Sequence, residues 1–206
     1  QTLTVSLDVA AKGAFSSTSV TASGFSTGLS AGTYQFNGTA SQAQAALRQL
    51  IFQPADNRVP TGTTETTTFT VSIADASGAS ASNGDTSVSS LAINDAPTLS
   101  VIPDPVAILE DAGPQNISLS GIGAGGGESQ TLAVTAASSN VSVIPDPTVS
   151  YSSASAIGSL SYTPVANANG TAVILVVVKD NGGTAQGGID AVTNAFVVTV
   201  TAVNDR

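Results

Sequence analysis

Short runs of alternating apolar and polar residues recur along the chain, separated by glycine, proline, asparagine and aspartate. The runs are rich in Val, Thr, Ile and Phe, whose branched or aromatic side chains suit the pleated surface of a strand. They cover residues 2–7, 67–73, 87–93, 131–136, 172–178 and 196–203. Many short strands with turn signals between them predict an all-β sandwich fold.

One segment, "GTASQAQAALRQL" at residues 38–50, departs from the strand pattern. Its apolar residues have the spacing of one helix face: Ala43, Ala46, Leu47 and Leu50. Thr39 and Gln42 have the spacing of a capping box at the start of a helix. We therefore predict one short amphipathic helix that packs across an end of the first sandwich.

The second half of the chain repeats the first. "QTLTV" aligns with "QTLAV", "IFQPADN" with "SYTPVAN", and "TVSIADASG" with "LVVVKDNGG". The aligned pairs keep their order, with separations of 129 residues (Gln1 and Gln130), 110 (Pro54 and Pro164), 105 (Asp75 and Asp180; Asp85 and Asp190) and 110 (Asp95 and Asp205). Ordered matches with small insertions indicate two copies of one domain.

The repeat also gives a domain boundary. "NDAP" at 94–97 and "NDR" at 204–206 each follow a run of alternating apolar residues, so each is interpreted as the end of a domain's last strand. Pro97 has no backbone donor and restricts Ala96, which should stop strand pairing there. We predict domains at 1–97 and 98–206.

The first copy begins at the residue that aligns with Gln130, whereas the second carries a leading segment with "QNISLSGI" at 115–122. We therefore expect the first sandwich to lack its leading strand. Three arrangements stay open for the exposed edge. A loop at 23–34 covers it, it stays uncovered, or a neighbouring chain supplies a strand.

Composition narrows the function classes. The net charge is −9, with 14 acidic and 5 basic residues that form no basic patch, so nucleic-acid binding is not expected. The chain has no Cys or His, which removes thiolate and imidazole catalysis and zinc thiolate sites. Catalysis by carboxylates alone stays open, and we predict that the chain is not an enzyme. The longest aliphatic run, "VILVVV" at 173–178, is too short for a membrane span and predicts a central strand covered on both faces.

Several stretches resemble the cadherin-like and immunoglobulin-like tandem repeats of large bacterial surface or secreted proteins. They are "ILEDAGPQNISLSGI", "YTPVANANGTAVILVVVKDNGG", "GGIDAVTNAFVVTVTAVND" and "NGTASQAQAALRQLIFQPADN". The resemblance implies two tandem Ig-like or cadherin-like Greek-key β-sandwiches of seven strands each, outside the cell or on its surface. It also implies neighbouring repeats as partners, and calcium that stiffens the domain junctions.

The resemblance points to acidic and amide residues as calcium ligands. Glu110, which is adjacent to Asp111, matches the acidic position on the first strand. Asn204 and Asp205 match the terminal Asn-Asp of the linker, and Asp180 begins "DNGG", a loop expected near that end. The counterparts in the first domain are Asp75, Asn94 and Asp95. The other interpretation is turn chemistry, because Asn and Asp stabilise turns through their own backbone.

The leading functional hypothesis is a non-catalytic spacer or adhesion module. Two alternatives stay open: a carbohydrate-binding accessory module of a secreted hydrolase, and a strand-donating subunit of an extracellular fibre. Tyr34, Tyr151 and Tyr162 are the candidate sugar-stacking rings for the first alternative. A glycan or another surface protein would be the ligand, with no membrane insertion.

Overall fold

The computed structural model describes residues 1–204 and divides into two compact units, Gln1–Ala92 and a second that starts at Ile93. Both units consist mainly of β-strands, which confirms the predicted all-β class. The predicted calcium ligand Asp205 lies outside the described residues.

The first unit is built on an antiparallel five-stranded sheet with the order β3-β4-β1-β6-β7, and a two-stranded sheet, β2-β5. Its strands are β1 (Thr2–Leu7), β2 (Gly13–Phe15), β3 (Ser26–Thr27), β4 (Thr33–Asn37), β5 (Phe52–Pro54), β6 (Thr64–Ala74) and β7 (Ser80–Leu91). Two helices, α1 (Ser17–Ser23) and α2 (Ala40–Leu47), and a 3-10 turn at Ala10–Lys12 complete the unit.

Helix α2 is the predicted helix, and α1 was not predicted. The capping box of α2 is present, with the Thr39 side chain accepting from the Gln42 backbone and the Gln42 side chain accepting from Thr39 N–H. The sequence of α1, "STSVTAS", has low helix propensity, which hides it from a pattern search. Its ends stabilise it instead: Ser16 accepts from Ser19 N–H, and Gly24 adopts a left-handed conformation with φ 76°.

Alternation along β1 produces the core of the first unit. Leu3, Val5 and Leu7 are buried on one side of the strand, while Thr4 and Ser6 face the other way. Helix α2 adds Ala43 and Ala46 to the same core. A group of aromatic rings fills one region of this core: Phe15, Tyr34, Phe52 and Phe69.

The second unit is a sandwich of seven strands in two sheets. The sheet orders are β10-β13-β14-β8 and β11-β12-β9. The strands are β8 (Ile108–Leu109), β9 (Gln115–Ser120), β10 (Ala133–Ser138), β11 (Thr148–Ser150), β12 (Ile157–Tyr162), β13 (Gly170–Lys179) and β14 (Ala191–Thr201), with a 3-10 turn at Ala185–Gly187.

A single core lies between the two sheets of the second unit. Fully buried side chains alternate along β13 and β14 and meet Leu119 of β9 and Leu160 of β12. This alternation is the period-two pattern of a strand that packs on the core with one face. The outer face of β13 is not covered, because Val173 and Leu175 are 37% and 43% exposed. The prediction that "VILVVV" is covered on both faces was therefore wrong; β13 is central within its sheet, but only one face packs on the core.

The two units share a three-stranded arrangement. β1-β6-β7 in the first matches β10-β13-β14 in the second, both in order and in antiparallel direction. The cross-strand pair Val71–Asn83 corresponds to Val176–Asn194. Strand β14 has β8 beyond it, whereas β7 is the last strand of its sheet among the described residues.

Candidate functional site: a buried amide–carboxylate cluster

Asn94 and Asp180, two predicted calcium ligands, form the centre of a buried polar cluster in the second unit. Asn94 is 4% exposed and Asp180 is 5% exposed. The Asn94 Nδ2 group donates to Asp180 Oδ1 at 3.0 Å and to the carbonyl oxygen of Ile189 at 2.8 Å. The prediction that "NDAP" ends the last strand of the first domain was therefore wrong. Asn94 belongs to the second unit, and β7 ends earlier, at Leu91.

Gln130 and Glu128 extend this cluster, which we call the Asn94–Asp180 cluster. Gln130 Nε2 donates to Asn94 Oδ1 and, at 2.9 Å, to Glu128 Oε2. The backbone N–H of Asp95 donates to the same Glu128 oxygen at 3.2 Å. Sequence analysis used Gln130 only to align the repeats and missed its role in the cluster. No local sequence signal identifies this role, because the partners of Gln130 come from separate segments of the chain.

Gly182 of "DNGG" and Gly188, later in the same loop, make room for Asn94. A Cβ atom on Gly182 would collide with the side-chain oxygen of Asn94, and one on Gly188 would lie 3.0 Å from Asn94 Cβ. The backbone N–H of Gly182 also donates to Asp180 Oδ1 at 2.9 Å. The loop therefore needs glycine for close packing against Asn94 as well as for its turn.

Asp180 has one carboxylate oxygen in use and one free of hydrogen bonds. Oδ1 accepts from both Asn94 and Gly182, while Oδ2 is buried and has no hydrogen-bond partner among residues 1–204. A buried carboxyl group is stabilised by the hydrogen bonds that it accepts, so loss of Asn94 would leave Asp180 buried with one fewer donor, which is costly. The Asn94 side chain therefore connects the first residues of the second unit to the loop after β13.

Glu110 forms a second polar site, at the other end of β14. It is 4% exposed, and its Oε1 atom accepts from the backbone N–H of Val203 at 2.8 Å. Its own N–H donates to the carbonyl oxygen of Thr201 at 3.1 Å. Asp111 and Asn204, the neighbouring predicted ligands, are both exposed.

The two sites are far apart. Asp180 lies beside the Lys179–Ala191 pair at the start of β14, and Glu110 lies beside Thr201 at its end. Ten residues of extended strand separate these ends by roughly 33 Å. The expectation that "DNGG" lies near Asn204 was therefore wrong; the loop lies near Asn94.

Asp75, the counterpart of Asp180 in the first unit, is exposed and forms a local turn. Its Oδ1 atom accepts from Ser77 N–H at 2.9 Å, from the Ser77 hydroxyl at 2.6 Å and from Ala79 N–H at 3.0 Å. The Ser77 hydroxyl bond and the two backbone N–H groups hold the pKa of Asp75 below its ordinary value. At this position, the turn interpretation describes the geometry.

The described candidate ligands occupy separate places, with Asn94, Asp95 and Asp180 at one end of the second unit, Glu110, Asp111 and Asn204 at the other, and Asp75 in the first unit. Within residues 1–204, no three His, Cys, Asp or Glu side chains lie together in a group that could hold a metal ion. Calcium prefers six to eight oxygen ligands. Any calcium site here must therefore use backbone carbonyls, amides or water, and calcium binding stays a prediction.

Two of the candidate sugar-stacking rings are buried. Tyr34 is 7% exposed in the first core and Tyr162 is 5% exposed in the second. Burial also raises the pKa of Tyr162. Tyr151 is partly buried, and its hydroxyl donates to the carbonyl oxygen of Ser155. The faces of Tyr34 and Tyr162 are thus occupied by core packing.

Comparisons with known proteins give matches to solved structures at low identity and low TM-score. No family model matches, and no curated protein matches. Among solved structures, domains 4 and 5 of the S-layer protein SbsC align with 17% identity and a TM-score of 0.34, over 75% of this chain and 63% of that one. Mouse protocadherin-24 EC1-3 aligns with 12% identity and a TM-score of 0.38, over 96% and 58%.

A third solved structure is an endo-fucoidan hydrolase of glycoside hydrolase family 107. It aligns with 16% identity and a TM-score of 0.36, over 98% of this chain and 24% of that one. The chain thus spans less than two thirds of the length of each of these three structures. No helix within residues 1–204 is long and apolar enough to cross a membrane.

Proposed function

We propose that the chain is a non-catalytic tandem-repeat module that serves as a spacer or adhesion segment of a large surface or secreted protein. The observation that carries this proposal is the position of Asn94. Ala92 and Ile93 alone separate it from the end of β7, yet it is built into the second unit. The linker residue of one repeat is thus a core residue of the next, which suits domains joined in series.

The second unit has the strand arrangement of a domain that resists stretching. β8 lies parallel to β14, with Ile108 opposite Val200 and Leu109 opposite Thr201. Tension applied through Asn94 and Asn204 would load these parallel strands along their length, so that their bonds must break together. Glu110 reinforces the same contact through Thr201 and Val203.

Single-molecule force spectroscopy on the full chain tests this function. We expect the second unit to unfold at a higher force than the first, because β7 has no parallel neighbour among the described residues. Glu110→Ala should lower the force of the second unit alone, and Asp111→Ala, which changes an exposed neighbour, is the matched control. Equal, low forces for both units would contradict the spacer role.

The proposal also includes calcium binding that stiffens the domain junctions. Glu110, Asp111 and Asn204 lie at one end of the second unit and offer the predicted oxygen ligands. Calorimetric titration of the chelator-treated chain with calcium should give saturable heat that Glu110→Gln reduces. No heat at millimolar calcium would remove calcium from the proposal and leave the mechanical role intact.

We place the module outside the cell, where neighbouring repeats are its main partners. Its surface is acidic, and strands rich in Ser and Thr carry few charges. This placement is tested by expressing a tagged form of the parent protein and measuring whether protease added to intact cells cleaves it. Protection from protease until the cells are lysed would contradict it.

A further inference from the structure

The hexapeptide "SVIPDP" occurs twice in the second unit, at residues 100–105 and 142–147. We call these two copies the SVIPDP segments. Both belong to one domain, so their match is separate from the repeat that relates the two units. An identical hexapeptide at two places in one sandwich indicates a shared role, and the contacts of the two copies show what they have in common.

The isoleucine of each SVIPDP segment is an anchor in the core. Ile102 is 5% exposed and Ile144 is 0% exposed, and both belong to the core of the second unit. The next two residues of each copy, a proline and an aspartate, are exposed. Each segment is therefore fixed by one apolar side chain and presents its aspartate at the surface.

Asp146 lies against β10, the last strand on one side of the four-stranded sheet among the described residues. Its Oδ1 atom accepts from the backbone N–H of Ser138 at 2.8 Å. The N–H of the next residue, Ser139, donates to the carbonyl oxygen of Val173 on the neighbouring β13. Because successive N–H groups of a strand point to opposite sides, the Ser138 N–H points away from the sheet. Asp146 therefore binds a donor that the sheet itself leaves unpaired.

Asp104 makes the same contact on the opposite side of this sheet. Its Oδ1 atom accepts from the backbone N–H of Val197 on β14 at 2.7 Å. Val197 is paired with Val173, whose N–H and carbonyl groups both bond Ser139 on the β10 side. The Val197 N–H therefore points outward, away from β13. Strand β8 pairs with only the last two residues of β14, so it does not reach Val197.

The chemistry of the SVIPDP segments is suited to protecting a sheet edge. An edge strand presents unpaired backbone groups that can pair with another chain, and proteins block such edges with charged side chains and proline. The carboxylate accepts the outward N–H but donates none in return. The prolines on either side of it have no N–H, so the segment cannot itself become a new edge that continues the sheet.

We propose that the two SVIPDP segments close both sides of the four-stranded sheet of the second unit to strand addition by another polypeptide. The isoleucine holds each segment in place, the aspartate binds the outward N–H, and the prolines stop further pairing. Such protection matters most in tandem repeats, where pairing between neighbouring or separate copies is a characteristic failure of folding.

Native-state hydrogen exchange, measured by NMR on the full chain, tests the two contacts separately. Asp104→Ala should accelerate exchange of the Val197 amide by about tenfold, as expected for the loss of a hydrogen bond to a charged group, and leave Ser138 unchanged. Asp146→Ala should do the reverse. The matching Asn variants keep an acceptor oxygen and should exchange like the unchanged chain. Asp111→Ala, which changes an exposed carboxylate of the same unit, is the matched control.

The double variant Asp104→Ala/Asp146→Ala tests the protection itself. As its concentration rises, the NMR signals of β10 and β14 should broaden and light scattering should show an increasing mass, because both edges are open. In the unchanged chain, the signals of these two strands should stay sharp over the same range.

Three results would overturn the proposal. One is unchanged exchange at Val197 and Ser138 in the Ala variants. Another is faster exchange without association of the double variant, which would leave the two hydrogen bonds with a local structural role alone. The third is equally faster exchange at Ile174 in the centre of the sheet, which would mean that the aspartates stabilise the whole fold. None of these results bears on the force measurement, so this proposal and the spacer role fail separately.

Discussion

The two units use the same three strands, β1-β6-β7 and β10-β13-β14, but bury them differently. Val176 and Val178 on β13 are fully buried, while the matching residues on β6, Val71 and Ile73, are partly exposed. Phe196 on β14 is 1% exposed, and the matching Thr86 on β7 is exposed. Equivalent strand order therefore does not ensure an equivalent core.

The residues that precede Gln130 in the second unit explain much of this difference in burial. In the second unit, Leu99, Ile102, Leu119 and Ile122 come from residues that precede Gln130, and all belong to the core. The first unit has α2 and the aromatic cluster of Phe15, Phe52 and Phe69 instead. These pack on part of the sheet, in which β7 is the last strand among the described residues. The comparison teaches that one repeat can keep its central strands while its covering elements change.

Phe196→Ala and Thr86→Ala should show the largest difference in stability loss between the two units. We expect Phe196→Ala to lower the free energy of unfolding of the second unit by about 3–5 kcal/mol, through lost transfer energy and a cavity. Thr86→Ala should change the first unit by less than about 0.5 kcal/mol, because the side chain is exposed. Urea unfolding followed by NMR signals from each unit measures both, and comparable losses would break the comparison.

Val176→Ala and Val71→Ala form a closer pair, because the residue type is the same at both positions. Val176→Ala should cost about 2 kcal/mol, since the site is sealed and cannot collapse onto solvent. Val71→Ala should cost about 1 kcal/mol or less, because part of the Val71 side chain is already exposed. A larger loss for Val71→Ala than for Val176→Ala would contradict the difference in burial between the two positions.

Acid and alkali should affect the two units differently, with the smallest effects of this set. The Arg58 guanidinium lowers the pKa of Glu65, and the Lys12 ammonium lowers the pKa of Asp8, both in the first unit. Such carboxylates stabilise the folded state above their unfolded pKa, and this contribution is lost as the pH falls from about 5 towards 2. Both groups are exposed, so the effect should be modest.

In the second unit, burial raises the pKa of Tyr162. A group of this kind stabilises the folded state below its unfolded pKa, and the contribution is lost as the pH rises above about 10. Thermal unfolding of each unit at pH 3, 7 and 11 checks both signs. Acid sensitivity confined to the second unit would contradict the assignment.

Sequence patterns were sufficient to predict strands and their buried faces. They were insufficient to predict contacts between distant segments of the chain. Alternation identified the buried side of β13 and β14, and the capping box identified α2, because both signals are local. The role of Asn94 depends on Asp180, Ile189 and Gln130, which folding brings together from separate segments. The pair Asn-Asp occurs both in "NDAP" and in "NDR" at 204–206, which favoured the interpretation that each ends a strand. The contacts of Asn94 overturn that interpretation for "NDAP".

The central claim is that "NDAP" begins the second unit rather than ending the first, and Asn94→Ala tests it most directly. Removal of the side chain leaves Asp180 buried with one fewer donor, which should cost about 2–3 kcal/mol. Native-state hydrogen exchange measured by NMR on the full chain should show this loss at the amides of β13. The amides of β1 and β6 should be unchanged. A loss at β1 and β6 with β13 unaffected would contradict the account.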